Sequence, residues 1–126
     1  MLRGIGLFVL GVSLFGCSSK SKDSSPGQSP VDKCSSFAAT WCNKALGCYV
    51  QVGRLPQSEL ATQVDSCERV AVASVPCDKA VAVGSTYDQC ISETNAMACS
   101  TWDVDTTQLA TIQPPASCRG VIKVTQ

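Results

Sequence analysis

Nine cysteines and no histidine set the chemistry open to this chain of 126 residues. Without an imidazole there can be no Ser-His-Asp or Cys-His nucleophile, and the commonest proton carrier at neutral pH is missing. Thiolates also bind metals, but the intervals between successive cysteines from Cys34 to Cys118 are 8, 6, 19, 10, 13, 9 and 19 residues. They contain no Cys-x-x-Cys pair, which removes both the usual tetrahedral zinc spacing and the usual thiol-oxidoreductase site. Cys34, Cys42, Cys48, Cys67, Cys77, Cys90, Cys99 and Cys118 are therefore read as disulfide cysteines, with no metal, no cofactor and no catalytic residue expected. Their connectivity stays open except at one point. Cys34 and Cys42 fall on one predicted helix, about 12 Å apart along its axis at 1.5 Å per residue, well beyond the Cα separation of about 7 Å that a disulfide tolerates. Each must pair elsewhere.

Other groups offer less. Asp65 and Glu68 lie three apart beside Arg69, a spacing that suits a solvated helix face better than an acid–base pair. Asp103-Val104-Asp105 lacks the glycine and distal glutamate of a calcium loop, so Asp105 is expected to cap a helix, with Gln108 three residues on. Trp41 and Tyr87 sit at helical spacings that predict core packing, while Trp102 fits a core or a recognition patch equally well.

The ninth cysteine stands apart. Arg3 precedes an uncharged apolar run over residues 5–15, and Gly16 then leads to Cys17. That order is a secretory signal, and the run is shorter than the ~20 residues a membrane-spanning helix needs. Leu14-Phe15-Gly16-Cys17 resembles a bacterial lipobox, with Phe15 departing from the small residue usual at its position. The resemblance implies that Cys17 receives a diacylglyceryl thioether and becomes an acylated N-terminus. The competing reading is an ordinary signal peptide with Cys17 as a free thiol or disulfide partner. Parity favours lipidation, because nine cysteines cannot all pair whereas one modified cysteine leaves eight.

These residues need elements to hold them. The chain divides into a signal peptide at 1–16, the lipidated cysteine and a flexible linker at 17–30, and a cysteine-rich helical domain at 31–126. Residues 18–30 hold six serines, two prolines and no apolar side chain, so they bury nothing and behave as a tether of roughly 20 Å span. From residue 31 onward, cysteines aside, only 25 apolar side chains larger than alanine serve 96 residues. So small a core normally needs cross-links. After loss of the signal, nine basic and ten acidic residues remain, a balance with no footprint for nucleic acid.

Cys34, Phe37, Ala38, Trp41, Cys42, Ala45 and Leu46 recur at three- and four-residue spacings, which predicts a helix capped by Asp32 and stopped by Gly47. Leu60, Ala61, Val64, Cys67 and Ala71 predict a second, started by Ser58 and limited by Pro76. Gly84-Ser85 with Asp88 predicts the start of a third, whose stripe is Tyr87, Cys90, Ile91, Thr94 and Ala98. Leu109 and Ile112 predict a short segment ended by Pro114-Pro115. Ala80–Val83 fits a helical turn or an extended piece, and Val121, Ile122 and Val124 fit the surface or a short strand. The expected fold is mostly α: a small disulfide-stapled bundle of three to four short helices, in the order helix, hairpin, helix, with loops joined by cystines.

The lipobox at Cys17, the Ser/Pro tether, the helix with Cys34 and Cys42 near Trp41, Tyr87-Asp88-Gln89-Cys90 leading to Cys99, and the closing Pro115-Ala116-Ser117-Cys118 resemble the small cysteine-rich lipoproteins of myxobacteria and related soil bacteria. The likeness spans the whole chain. It implies an exported, lipid-anchored helical domain without an established activity, and Ser18 after the lipidated cysteine suits transfer to the outer membrane. The expectation is a non-catalytic envelope lipoprotein that touches membrane lipid through acylated Cys17 and presents its domain to an unidentified envelope protein or ligand. The alternative is a small-ligand or peptide-binding module on the same anchor, which requires a concave apolar pocket with Trp102 or Tyr49 exposed in it.

Overall fold

The computed structural model describes residues 27–126, the side chains of Thr106, Leu109 and Ala110 excepted. The apolar leader, Cys17 and residues 18–26 lie outside the described residues, as does the side chain of Leu109.

Helix α1 spans Pro30–Gln51 and is the longest element. Its start is set by Ser29, whose hydroxyl accepts from the Asp32 N–H at 3.1 Å while the Asp32 carboxylate accepts from the Ser29 N–H at 3.2 Å. That reciprocal pair satisfies two backbone donors that no helical carbonyl can reach. Asp32, expected as the cap, is instead the third helical residue, and Pro30 fills the first turn, where its missing N–H costs nothing. Gly47 does not stop the helix. The buried stripe continues through Cys48 and Tyr49, and the stop is Gly53, at φ 76°. There the Gly53 N–H reaches the Val50 carbonyl and the Arg54 N–H the Tyr49 carbonyl, the two bonds of a Schellman ending.

Helix α2, Leu60–Ser74, follows a single 3-10 turn at Gln57–Glu59, and Ser58 makes no capping bond to it. Leu60, Val64, Cys67 and Ala71 face α1 half-buried as the spacing predicts. Ala61 is exposed, however, and Glu68 and Val72 complete the inner face in its place. No residue of α2 is fully buried, so a covalent link has to supplement its packing.

Ala80–Val83 resolves as strand β1 and Ile122–Val124 as strand β2, paired antiparallel with Ala80 opposite Val124 and Val83 opposite Ile122. The register slips between Ala80 and Ala82, a bulge that leaves Val81 56% exposed. Helix α3 is Tyr87–Ala96. Thr86 rather than Ser85 holds its cap position, and the Thr86 hydroxyl donates to the Ser117 carbonyl at 2.7 Å instead of accepting from the helix. The helix ends before Ala98, which is exposed. The short segment near Leu109 and Ile112 is a 3-10 turn at Thr106–Thr111. The Asp105 carbonyl accepts from the Gln108 N–H at 2.8 Å, and its side chain accepts from the Arg54 guanidinium.

The result is a small, mostly helical, disulfide-stapled domain of three α-helices with one two-stranded sheet. All eight cysteines of the domain are paired: Cys34–Cys77, Cys42–Cys67, Cys48–Cys99 and Cys90–Cys118, with Cα separations of 5.4, 5.8, 5.0 and 4.8 Å. Cys34 and Cys42 indeed take different partners. Three of the four bridges start on α1, which packs against α2, α3, β1 and the turn at Cys99–Trp102.

The core is three small clusters, each holding at least one bridged cysteine. Cys48 packs with Ala45, Tyr49 and Trp102; Cys90 and Cys118 with Tyr87 and Val121; Cys34 and Cys77 with Ala80. Cystine sulfur thus occupies the interior that large aliphatic side chains fill elsewhere, as the composition required. Thr94, fully buried, finds a partner in the Cys118 sulfur at 3.6 Å.

Candidate functional site

The carboxylates singled out by spacing are taken up in contacts on the helix surface. Asp65 pairs with Arg69 one helical turn on, at 3.3 Å and with both side chains more than two-thirds exposed, while Glu68 accepts from the Asn43 amide at 3.5 Å. The two carboxylates thus have different partners, although both border one hollow. Glu93 accepts from both Ser117 and Gln89; the Ser117 hydroxyl first, then the Gln89 amide, holds its carboxyl below the usual range. That makes it a weaker base than an ordinary glutamate and suits it to tie α3 to the turn at Ala116–Cys118.

Arg54, which belongs to no motif or periodic stripe, bridges two loops. Its guanidinium donates to Asp103 at 2.8 Å and to Asp105 at 3.1 Å. These two hydrogen bonds, the Asp103 one foremost, raise its pKa. The Tyr49 hydroxyl donates to the Val104 carbonyl between those aspartates at 2.9 Å, and burial pushes its pKa up against the pull of Arg54. So the Asp103-Val104-Asp105 stretch is occupied by arginine and tyrosine. The ion pairs are 40–74% exposed, and solvent screening leaves pairs of that kind little weight in stability.

The aromatic residues resolve as core. Tyr87 is buried, donates to the Lys33 carbonyl at 2.8 Å and carries the Lys33 ammonium 5.0 Å above its ring. Trp102, undecided from sequence, is 1% exposed and meets Trp41 edge-to-face at 4.7 Å. Its indole N–H is buried and finds no hydrogen-bond partner among the described residues.

Among the hollows of the described residues are a groove between α1 and α2 and, adjoining it at Leu46, Tyr49 and Gln63, a larger one of about 790 Å³ bordered by Arg54 and Asp105. One stretch of the groove, of about 260 Å³, runs between Phe37 and Trp41 on α1 and Ala71 and Val75 on α2, with Pro114 across it. The next, of about 630 Å³, runs between Trp41, Ala45 and Leu46 and the α2 residues Gln63, Val70 and Ser74, with Trp102 alongside. Trp41, Ala71 and Ser74 border both stretches. From Cys34 to Tyr49 the α1 wall covers sixteen residues, fifteen steps or about 22 Å at 1.5 Å per residue. Neither stretch has a charged residue in its lining, whereas the hollow on another face of α2 is bordered by Asp65 and Glu68. The groove therefore offers apolar contact and almost no polar recognition.

A concave apolar surface is thus present, but Trp102 and Tyr49, one or the other of which the ligand-binding alternative requires exposed in it, border it while staying 1% and 5% exposed. Trp41 is the half-buried aromatic residue on its wall. No helix among the described residues is long and apolar enough to cross a membrane. No family model, curated protein or solved structure matches the chain.

Proposed function

We propose that this chain is a lipid-anchored, non-catalytic lipoprotein of the bacterial envelope, held by acyl chains on Cys17 and facing its surroundings with the disulfide-stapled helical domain. The observation that carries the reading is cysteine parity. The four bridges use all eight cysteines among the described residues, and the ninth of this sequence, Cys17, is the one that follows the lipobox-like Leu14-Phe15-Gly16. Two or three acyl chains, at about 0.8 kcal/mol per buried CH₂, make a permanent anchor. The likeness to small cysteine-rich lipoproteins and Ser18 after the anchor support the outer membrane as its site.

The test is metabolic labelling of the full-length chain with palmitate. Wild type is expected to take up label, to sediment with membranes and to accumulate as an uncleaved precursor under globomycin, and Cys17→Ala is expected to lose the label. A soluble, unlabelled wild type would overturn the reading.

A second reading, a ligand-binding module on the same anchor, is favoured by the groove alone. An apolar hollow of several hundred Å³ is the size of an ordinary small-molecule site.

A further inference from the structure

The α1–α2 groove has an uncommon combination of properties. It is long, uncharged and built on rigid elements, since Cys42–Cys67 and Cys34–Cys77 fix the α1 wall to α2 and to the turn that follows it. It also leaves apolar surface in water: Val70 is 65% exposed and Val75 40% exposed. Covering such surface is favourable at roughly 25 cal/mol per Å², so the question is which occupant matches the lining.

An extended peptide does not, because its backbone N–H and C=O groups need partners and the polar side chains bordering the groove are few, chiefly Gln63, Ser66 and Ser74. A folded protein partner fits poorly for the same reason, since interfaces of ordinary size carry about ten hydrogen bonds and a polar rim. A hydrocarbon chain needs no polar partner at all. Position agrees with chemistry. The groove begins beside Cys34 and Cys77, near the start of α1, and eleven residues separate Cys17 from Ser29, a length of chain that can reach at most about 40 Å. A bilayer holding Cys17 is therefore within reach of the groove's near end.

We propose that the groove takes one acyl chain of a phospholipid from the membrane in which the protein is tethered, an inference that rests on the lipid-anchor reading above. The two tryptophans of the chain, Trp41 and Trp102, both border the groove, which makes occupancy directly observable.

The experiment uses the full-length, processed protein in vesicles of phosphatidylethanolamine and phosphatidylglycerol, with bromine atoms placed at mid-chain on the phospholipids. Bromine in the groove is expected to cut tryptophan emission by half or more relative to unbrominated vesicles. Ala71→Phe, which fills the point shared by both stretches, should abolish that quenching, while Ala61→Phe, on the exposed face of α2, should leave it intact. If Ala71→Phe does not fold, Val70→Asp at the exposed rim serves instead and should weaken the quenching. Equal quenching in the groove variant and wild type, or none in a wild type that floats with the vesicles, overturns the proposal while leaving the anchor standing. Concentration-dependent dimerisation that hides the groove from brominated lipid also overturns it, in favour of a second copy as occupant. If wild type does not float with vesicles, the anchor reading fails by itself. Monomeric brominated palmitate then reads the groove alone: quenching removed by Ala71→Phe supports an acyl-chain site, and no quenching ends it.

Discussion

Tyr49 shows how one side chain can organise two loops. Its hydroxyl holds the Val104 carbonyl, and its backbone carbonyl accepts the N–H groups of Arg54 and Leu55 at the end of α1. Tyr49→Phe keeps the ring and removes the bond, so it should cost about 1 kcal/mol in chemical denaturation. The pH dependence follows from the raised pKa. Because the folded hydroxyl ionises above the unfolded value of about 10, its contribution is complete below that value and is lost as pH rises through the folded pKa. Ultraviolet titration should show one tyrosine ionising late in the native protein, and Tyr49→Phe should remove part of the alkaline loss of stability. None of this was legible in the sequence, where Tyr49 and Val104 lie 55 residues apart. Trp102 was undecided for the same reason: a lone tryptophan between loops carries no periodicity, and its burial depends on where α1 passes. The cysteines were legible as a set because their number, spacing and lack of histidine partners exclude alternatives, but their pairing is a property of the folded chain.

At the scale of elements, the two glycines near the end of α1 divide the work differently from the reading by residue type. Gly47 lies inside the helix with nothing within 4 Å of an added Cβ, whereas Gly53 sits at φ 76°. Gly47→Ala should therefore stabilise the protein by about 0.5 to 1 kcal/mol through higher helix propensity. Gly53→Ala should destabilise it by about 1 to 2 kcal/mol, because a Cβ is strained in the left-handed region. Thermal unfolding of the two variants under the same conditions should show shifts of opposite sign. The helices were legible from apolar spacing, and their ends were not, since glycine, serine and aspartate act as signals only in particular backbone states. Strands β1 and β2 were ambiguous because each is short and its partner is about forty residues away. The groove was hidden more deeply still. Its walls are ordinary helix faces, and only the placement of α2 against α1 makes a concavity of them.

For the whole molecule, stability rests on the four bridges. Each closes a loop of 25 to 51 residues and contributes about 2 to 4 kcal/mol, against a net stability of about 5 to 15 kcal/mol for a typical domain. Reduction is therefore expected to unfold the domain, seen as loss of helical circular dichroism on adding a reductant without denaturant; full retention of the signal would contradict this account. The bridges are not equivalent. Cys42–Cys67 is the one that ties α2, an element with no fully buried residue, to the rest. Replacing both of its cysteines by alanine should release α2 first, with amide exchange accelerated over Leu60–Ser74 and protection kept in α3.

The order of the bridges along the chain has one more consequence. Cys34–Cys77, Cys48–Cys99 and Cys90–Cys118 overlap in succession, so every peptide bond between Cys34 and Cys118 lies inside at least one closed loop. A protease that cuts any exposed loop once opens the backbone but frees no fragment. The nicked halves stay covalently joined, and what hangs from the N-terminal end remains whole in mass until a reductant arrives. The pattern of pairing is in that sense a form of damage tolerance, separate from the free energy the same bridges supply.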